Sequence, residues 1–240
     1  MNILLLGATG SIGDSVLSVI EENHSELNLF GITFHKNINK SQEIIKDFKP
    51  EFAYVEDRAT FEDLKDTSDI TFLNGDSSLK ELIEHDDVDV IISAISGFAG
   101  LKATYLAAST GKKILLANKE SIVAGGDLII ARAKKSNSKI IPIDSEHNAI
   151  FQCLSGERSS VDVQKIIITA SGGPFIGKKI SNLKDVTKDD ALNHPNWDMG
   201  SKISIDSATL VNKCLELIEA KYLFDLEERI FDLVIHPQSI

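Results

Sequence analysis

Through the first half of the chain, short apolar runs alternate with longer stretches whose apolar residues recur every three to four positions. The runs Asn2–Leu6, Asn28–Phe34, Phe52–Val55, Asp89–Ala94, Lys113–Ala117 and Lys139–Ile143 read as strands. The unbroken Val90-Ile91-Ile92 fits a strand covered on both faces. Between them, Ser11–Glu21, Lys40–Phe48, Thr60–Lys65, Ser78–Glu84, Leu101–Thr110 and Ser121–Lys135 read as helices. Strands alternating with helices predict βαβ units and a mainly parallel, doubly wound sheet in an α/β fold.

The rhythm changes after about Ile150. Lys165–Ala170 reads as a strand, followed by Ser171-Gly172-Gly173-Pro174-Phe175 and a polar, irregular region to Ser204. A helix is expected over Asp206–Phe224, where Leu210, Cys214, Leu217, Ile218 and Tyr222 keep helical spacing, and another strand over Leu233–Ile240. A domain boundary is expected near Ser145–Gln152, dividing the chain into 1–145 and 146–240.

At 240 residues and 42% apolar, the chain has the material for a large core in one or two domains. A net charge of −11 argues against a nucleic-acid or anionic-membrane partner. No apolar run reaches the roughly 18–20 residues that span a bilayer. Met1 leads directly into a strand with no leader, and Cys153 and Cys214 stand far apart. The expectation is a cytoplasmic protein with two reduced, buried thiols.

Chemistry concentrates where the predicted strands end. Gly7-Ala8-Thr9-Gly10-Ser11-Ile12-Gly13 joins the first strand to the first helix as GxxGxxG. Small residues there let the backbone approach a pyrophosphate at a helix N-terminus, and Thr9 and Ser11 add hydroxyl donors. The second strand ends in Phe34-His35-Lys36-Asn37. It lacks the carboxylate that would bond the ribose 2′-hydroxyl of NAD, and Lys36 favours the 2′-phosphate of NADP, although the same lysine also suits a solvated surface. Asn118-Lys119-Glu120 follows the strand before it at the same sheet edge, facing the cofactor or the substrate, while Glu120 alternatively serves the helix dipole. Ile143-Asp144-Ser145-Glu146-His147-Asn148 closes the last apolar run, where a loop is expected. Two acids and a hydroxyl at that edge suit a hard divalent cation. On the later helix, Asn212 and Glu216 are i, i+4 and Lys213 and Glu216 are i, i+3, so one face presents an amide, a cation and a carboxylate. Ser171, Ser207, Asn212 and Lys213 are donors suited to a phosphate monoester. Each has a plainer alternative: Ser207 as a helix cap, Lys213 with Glu216 as a surface ion pair, His194 as a loop residue. Trp197, the only tryptophan, sits in a Pro- and Gly-punctuated segment that suggests a lid, or else anchors a loop.

GATGSIG, LANKES, PIDSEHNAIFQ, ASGGPF, HPNWDMGSKISIDSATLVNKCLELIEA and HPQSI occur in this order and resemble the 1-deoxy-D-xylulose 5-phosphate reductoisomerase family over essentially the whole chain. The resemblance implies a Rossmann-like NADPH-binding domain followed by an α+β catalytic domain that binds metal and substrate. It implies metal ligands at Asp144, Glu146 and Glu216, the metal being Mg²⁺ or Mn²⁺. It implies substrate contacts at Lys119, Ser145, Glu146, Ser171, His194, Trp197, Ser207, Asn212, Lys213 and Glu216. NADPH contacts fall on Thr9, Gly10, Ser11, Ile12, Lys36, Asn37, Asn118, Glu120 and Gly200, and Trp197 and Met199 fall in a flap. The implied reaction is isomerisation and reduction of 1-deoxy-D-xylulose 5-phosphate to 2-C-methyl-D-erythritol 4-phosphate in non-mevalonate isoprenoid biosynthesis, by a homodimer. Catalytic roles are implied for Lys119, Asp144, Glu146 and Glu216. His35 departs from the small residue frequent in the family, and the chain stops at Ile240 before the family's C-terminal helical domain, so a truncated form is expected. The rival readings are a semialdehyde- or dipicolinate-type reductase and an inert nucleotide-binding fragment.

Overall fold

The computed structural model describes residues 1–67, 69–154, 163–194, 200–236 and 238. It divides into two compact units, Met1–Asp144 and Ser145–Ile240.

The first unit is a seven-stranded sheet of β1 (Asn2–Leu6), β2 (Asn28–Phe34), β3 (Phe52–Val55), β4 (Thr71–Leu73), β5 (Val90–Ser93), β6 (Lys113–Leu116) and β7 (Lys139–Pro142). The order is β4-β3-β2-β1-β5-β6-β7, with every neighbouring pair parallel. Winding outward from β1 in both directions places the topological switch between β1 and β5, where such sheets open a crevice at their carboxyl ends. The connecting helices are α1 (Ser11–Glu22), α2 (Ile38–Phe48), α3 (Arg58–Leu64), α4 (Asp76–Glu84), α5 (Leu101–Ala107) and α6 (Lys119–Ser136). The apolar runs became strands because both sheet faces are covered: Leu4, Leu5, Leu6, Ile32 and Ile91 have no exposed surface. Each such side chain contributes about 1.5–3 kcal/mol of burial. Leu17 and Ile20 on α1 and Ile44 and Ile45 on α2 seal one face.

β4 escaped the sequence reading because three residues at a half-exposed edge show no period. Asn118 accepts from the Ser121 amide and starts α6 at Lys119, two residues before the expected start.

The second unit carries α7 (Ser145–Leu154), β8 (Ile166–Ala170), α8 (Lys188–Leu192), α9 (Ser201–Ala208), α10 (Val211–Phe224) and β9 (Phe231–Ile235). β8 and β9 pair in parallel from Ile166 against Phe231 to Ala170 against Ile235. Ile150, Ile168 and Ala220 form its buried core, packed by Leu217, Phe224 and Leu233.

Four expectations change here. The loop expected at Ser145–Asn148 is the first turn of α7, because His147 and Ile150 share a buried helical face and Glu146 suits a helix N-terminus. The single helix expected over Asp206–Phe224 is two, broken at Leu210, whose φ of 59° is left-handed. The irregular stretch before it contains α8, closed by a reciprocal cap between Thr187 and Asp190. The two cysteines are free, as expected, but both are exposed rather than buried, because each sits on the outward face of its helix. Among the described residues, no helix is long and apolar enough to cross a membrane.

Candidate active site

In the first unit the glycine loop lies at the switch between β1 and β5. Gly7 has φ +89°, and a Cβ there would come within 2.8 Å of the Ala94 backbone that follows β5. Only glycine satisfies both the backbone angle and that approach. The Gly7 amide donates to Thr33 Oγ1 at 2.9 Å and the Ala8 amide to the Thr33 carbonyl at 2.9 Å, which pins the loop to β2. Gly10 precedes α1 without a side-chain cap, and Ser11 and Ile12 are exposed beside it, with Thr9 and Gly10 half-buried. Opening N–H groups of a helix have no intrahelical partners, so this end suits an anion.

Lys36 and Asn37 follow β2. The exposed Lys36 ammonium lies 3.3 Å from Asp57, just past β3. The Thr60 amide and hydroxyl, and after them Lys36, hold the Asp57 carboxyl down at about 2. Asn37 caps α2 by accepting from the Lys40 amide at 3.2 Å.

Asn118 is 2% exposed, and its side chain is fully engaged in structure. Its Nδ2 donates to the carbonyls of Ile95 and of Gly97 (2.9 Å) and reaches Glu120 at 3.3 Å, while its Oδ1 accepts from Ser121 at 2.8 Å. It therefore ties the segment after β5 to the start of α6. Next to it, the buried Lys119 pairs with Asp144 at 2.8 Å. Asp144 is the last residue of this unit and stands two residues before Glu146 in the chain.

In the second unit, α7 and α10 bring Glu146 and Glu216 together. Their carboxylate oxygens lie within 4.8 Å of one another. The Lys213 ammonium bonds both, at 2.5 Å to Glu216. Asn212 donates to the other oxygen of Glu216, and Ser145 donates to Glu146 at 2.6 Å. Glu216 is 1% exposed, so the Lys213–Glu216 pair is no surface ion pair. Sequence reasoning missed two buried neighbours of this group, His147 and Glu219. Recognising α7 would have exposed the first, three residues before Ile150, and helical spacing from Glu216 the second.

Ser171 hydrogen-bonds His194 at 3.1 Å, and burial pushes the His194 imidazole below its ordinary pKa. Gly173, at φ +70°, faces the Ser207 carbonyl so closely that a Cβ would stand 2.7 Å from it. Ser207 thus sits beside the turn after β8, in the last turn of α9, not as a cap of α10. Gly200 caps α9. The flap residues Trp197 and Met199 lie outside the described residues.

Residues 3–126 match the family model described as 1-deoxy-D-xylulose 5-phosphate reductoisomerase, and residues 140–224 match that of its C-terminal domain. The chain is 49% identical over 241 aligned residues to the 1-deoxy-D-xylulose 5-phosphate reductoisomerase of Francisella tularensis subsp. novicida (strain U112), covering 99% of this chain and 62% of that protein. A crystal structure of DOX-P reductoisomerase in complex with NADPH, fosmidomycin and magnesium superposes with a TM-score of 0.94 at 42% identity, covering 100% of this chain and 62% of that one. The enzyme from Zymomonas mobilis in complex with NADPH superposes with a TM-score of 0.89 at 40% identity, over the same shares. The chain thus spans about 62% of the length of these relatives.

Proposed function

From a chain that belongs to the 1-deoxy-D-xylulose 5-phosphate reductoisomerase family, we propose NADPH- and divalent-metal-dependent conversion of 1-deoxy-D-xylulose 5-phosphate into 2-C-methyl-D-erythritol 4-phosphate. The observation that carries this reading is the buried Glu216, gathered with Glu146 around one ammonium. Lys213 sets one positive charge against two negative ones, so the pair keeps a net negative charge, and oxygen donors of this kind fit Mg²⁺ or Mn²⁺. Asp144 completes the set; its carboxylate is likewise held by a lysine, Lys119.

When bound, the metal supplies Lewis acidity at the substrate's carbonyl and neighbouring hydroxyl, and NADPH supplies the reducing equivalent. The chain's own residues do the rest. Lys119, buried at the start of α6, stabilises negative charge developing on the substrate oxygen. Ser171, Ser207 and Asn212, with Lys213 and His194, grip the phosphate, and that remote binding holds the reacting end in place. Ser145 orients Glu146 through its hydroxyl. The open end of α1 takes the dinucleotide pyrophosphate through Thr9, Gly10, Ser11 and Ile12, and Lys36 with Asn37 takes the 2′-phosphate. Asn118 and Glu120 shape the nicotinamide end, Gly200 completes the cofactor contacts, and the family resemblance assigns Trp197 to the substrate. The same reading assigns residues 1–145 to NADPH and 146–240 to metal and substrate, in a cytoplasmic homodimer. Exposed Ile167 and Val234, on the same face of the β8–β9 sheet, support the dimer as a surface to be covered.

NADPH oxidation measured with 1-deoxy-D-xylulose 5-phosphate, with and without Mg²⁺ or Mn²⁺, tests the proposal. Metal-dependent turnover that Glu216→Gln abolishes, with NADPH affinity unchanged, is the expected result. Tight NADPH binding without any metal-dependent oxidation would leave only a nucleotide-binding fragment. Tighter binding of NADH than NADPH would overturn the assignment of Lys36.

A further inference from the structure

The strongest unassigned feature of the second unit is a buried acid–imidazole pair behind the two carboxylates. His147, on α7 next to Glu146, has no exposed surface, and Glu219 on α10 is 1% exposed. His147 Nε2 lies 2.9 Å from the Glu216 main-chain carbonyl and 3.5 Å from Glu219 Oε2. A carbonyl only accepts, so Nε2 carries the proton in that bond. Glu219 lies one helical turn beyond Glu216, so the same face of α10 presents both to α7.

We propose that Glu219 is a positioning residue: through His147 it locks α7 to α10 at the turns that carry Glu146 and Glu216, and so sets their separation for a divalent ion. The carboxylate beside Nε2 favours the tautomer that donates to the Glu216 carbonyl. That bond fixes the backbone of one metal-binding residue to the neighbour in sequence of the other. A group placed this way behind a metal site tunes affinity without touching the ion. Ala220, the residue after Glu219, belongs with Ile150 and Ile168 to the buried core of this unit. A buried acid in such a core is a poor device for stability, since well-packed apolar replacements are often neutral or stabilising. Its position behind Glu216 therefore points to geometry at the site.

This inference rests on the metal reading of Glu146 and Glu216, and the test separates the two. Mn²⁺ affinity of the chain is measured by electron paramagnetic resonance of free Mn²⁺, beside thermal melting and NADPH affinity. Glu219→Gln and Glu219→Met are expected to weaken Mn²⁺ binding about tenfold or more. NADPH affinity stays unchanged, and the Met variant melts no lower than the native chain. Unchanged Mn²⁺ affinity in both variants, with binding lost in Glu216→Gln, overturns the positioning role and keeps the metal site. Loss of Mn²⁺ affinity only in step with a lowered melting temperature also overturns it, as the mark of a purely structural residue. Mn²⁺ affinity that survives Glu216→Gln overturns the metal site itself and this inference with it.

Discussion

The Lys213 ammonium lies 2.5 Å from the Glu216 carboxylate, one turn along the same helix, and both side chains are buried. It also bonds Glu146 on α7, so one lysine balances two acids. Removing it leaves two like charges facing each other in a low-dielectric setting. Lys213→Met is therefore expected to destabilise the second unit by about 3 kcal/mol. Pairing it with Glu216→Gln recovers a good part of that loss. Urea unfolding of the two single variants and the double variant measures the coupling; strictly additive losses would deny the pair.

Gly173 combines a left-handed backbone with near-contact to the Ser207 carbonyl. Alanine there adds strain of about 1–3 kcal/mol and pushes the turn after β8 away from α9. The expected kinetic signature of Gly173→Ala is a raised KM for the sugar phosphate, because Ser171 and Ser207 separate. A stability loss with unchanged KM would place the phosphate elsewhere.

Asn118 does two jobs that a simpler cap would not. Serine at this position keeps the bond to the Ser121 amide but abandons the Ile95 and Gly97 carbonyls. Asn118→Ser is expected to cost about 1 kcal/mol, chiefly from the half-buried Ile95 carbonyl losing this donor, since the Gly97 carbonyl still accepts from the Gly100 amide. It should also speed hydrogen exchange around residues 95–97, which follow β5.

His194 provides a pH signature with a definite sign. Burial lowers its pKa in the folded state, so the unfolded chain binds the proton first. Its contribution to stability is full above the ordinary histidine value of about 6.5, and falls as pH drops from there through the lowered folded pKa. His194→Gln is expected to flatten that acid limb of the stability curve, read by urea midpoints across the range. A limb unchanged in the variant would assign it to other groups.

Most of the first unit was legible in the order of residues. Its strands are buried on both faces, so they appear as continuous apolar runs, and the glycine loop falls where the first of them ends. In the second unit the pattern was less readable. The break at Leu210 leaves no mark in a helical periodicity that runs straight through it, and α7 was disguised because its first turn carries the polar residues of the site.

Periodicity and local chemistry set the strands and helices of the doubly wound sheet, the glycine loop, and the shared face of Asn212, Lys213 and Glu216, since these depend on neighbours within a few positions. The meeting of Glu146 with Lys213, the closure of Gly173 on Ser207, and the burial of His147 against Glu219 came from folding alone. Each joins segments far apart in the chain. Which distant surfaces touch depends on packing, where the entropy of closing long loops is offset by burial of apolar surface that no local pattern encodes.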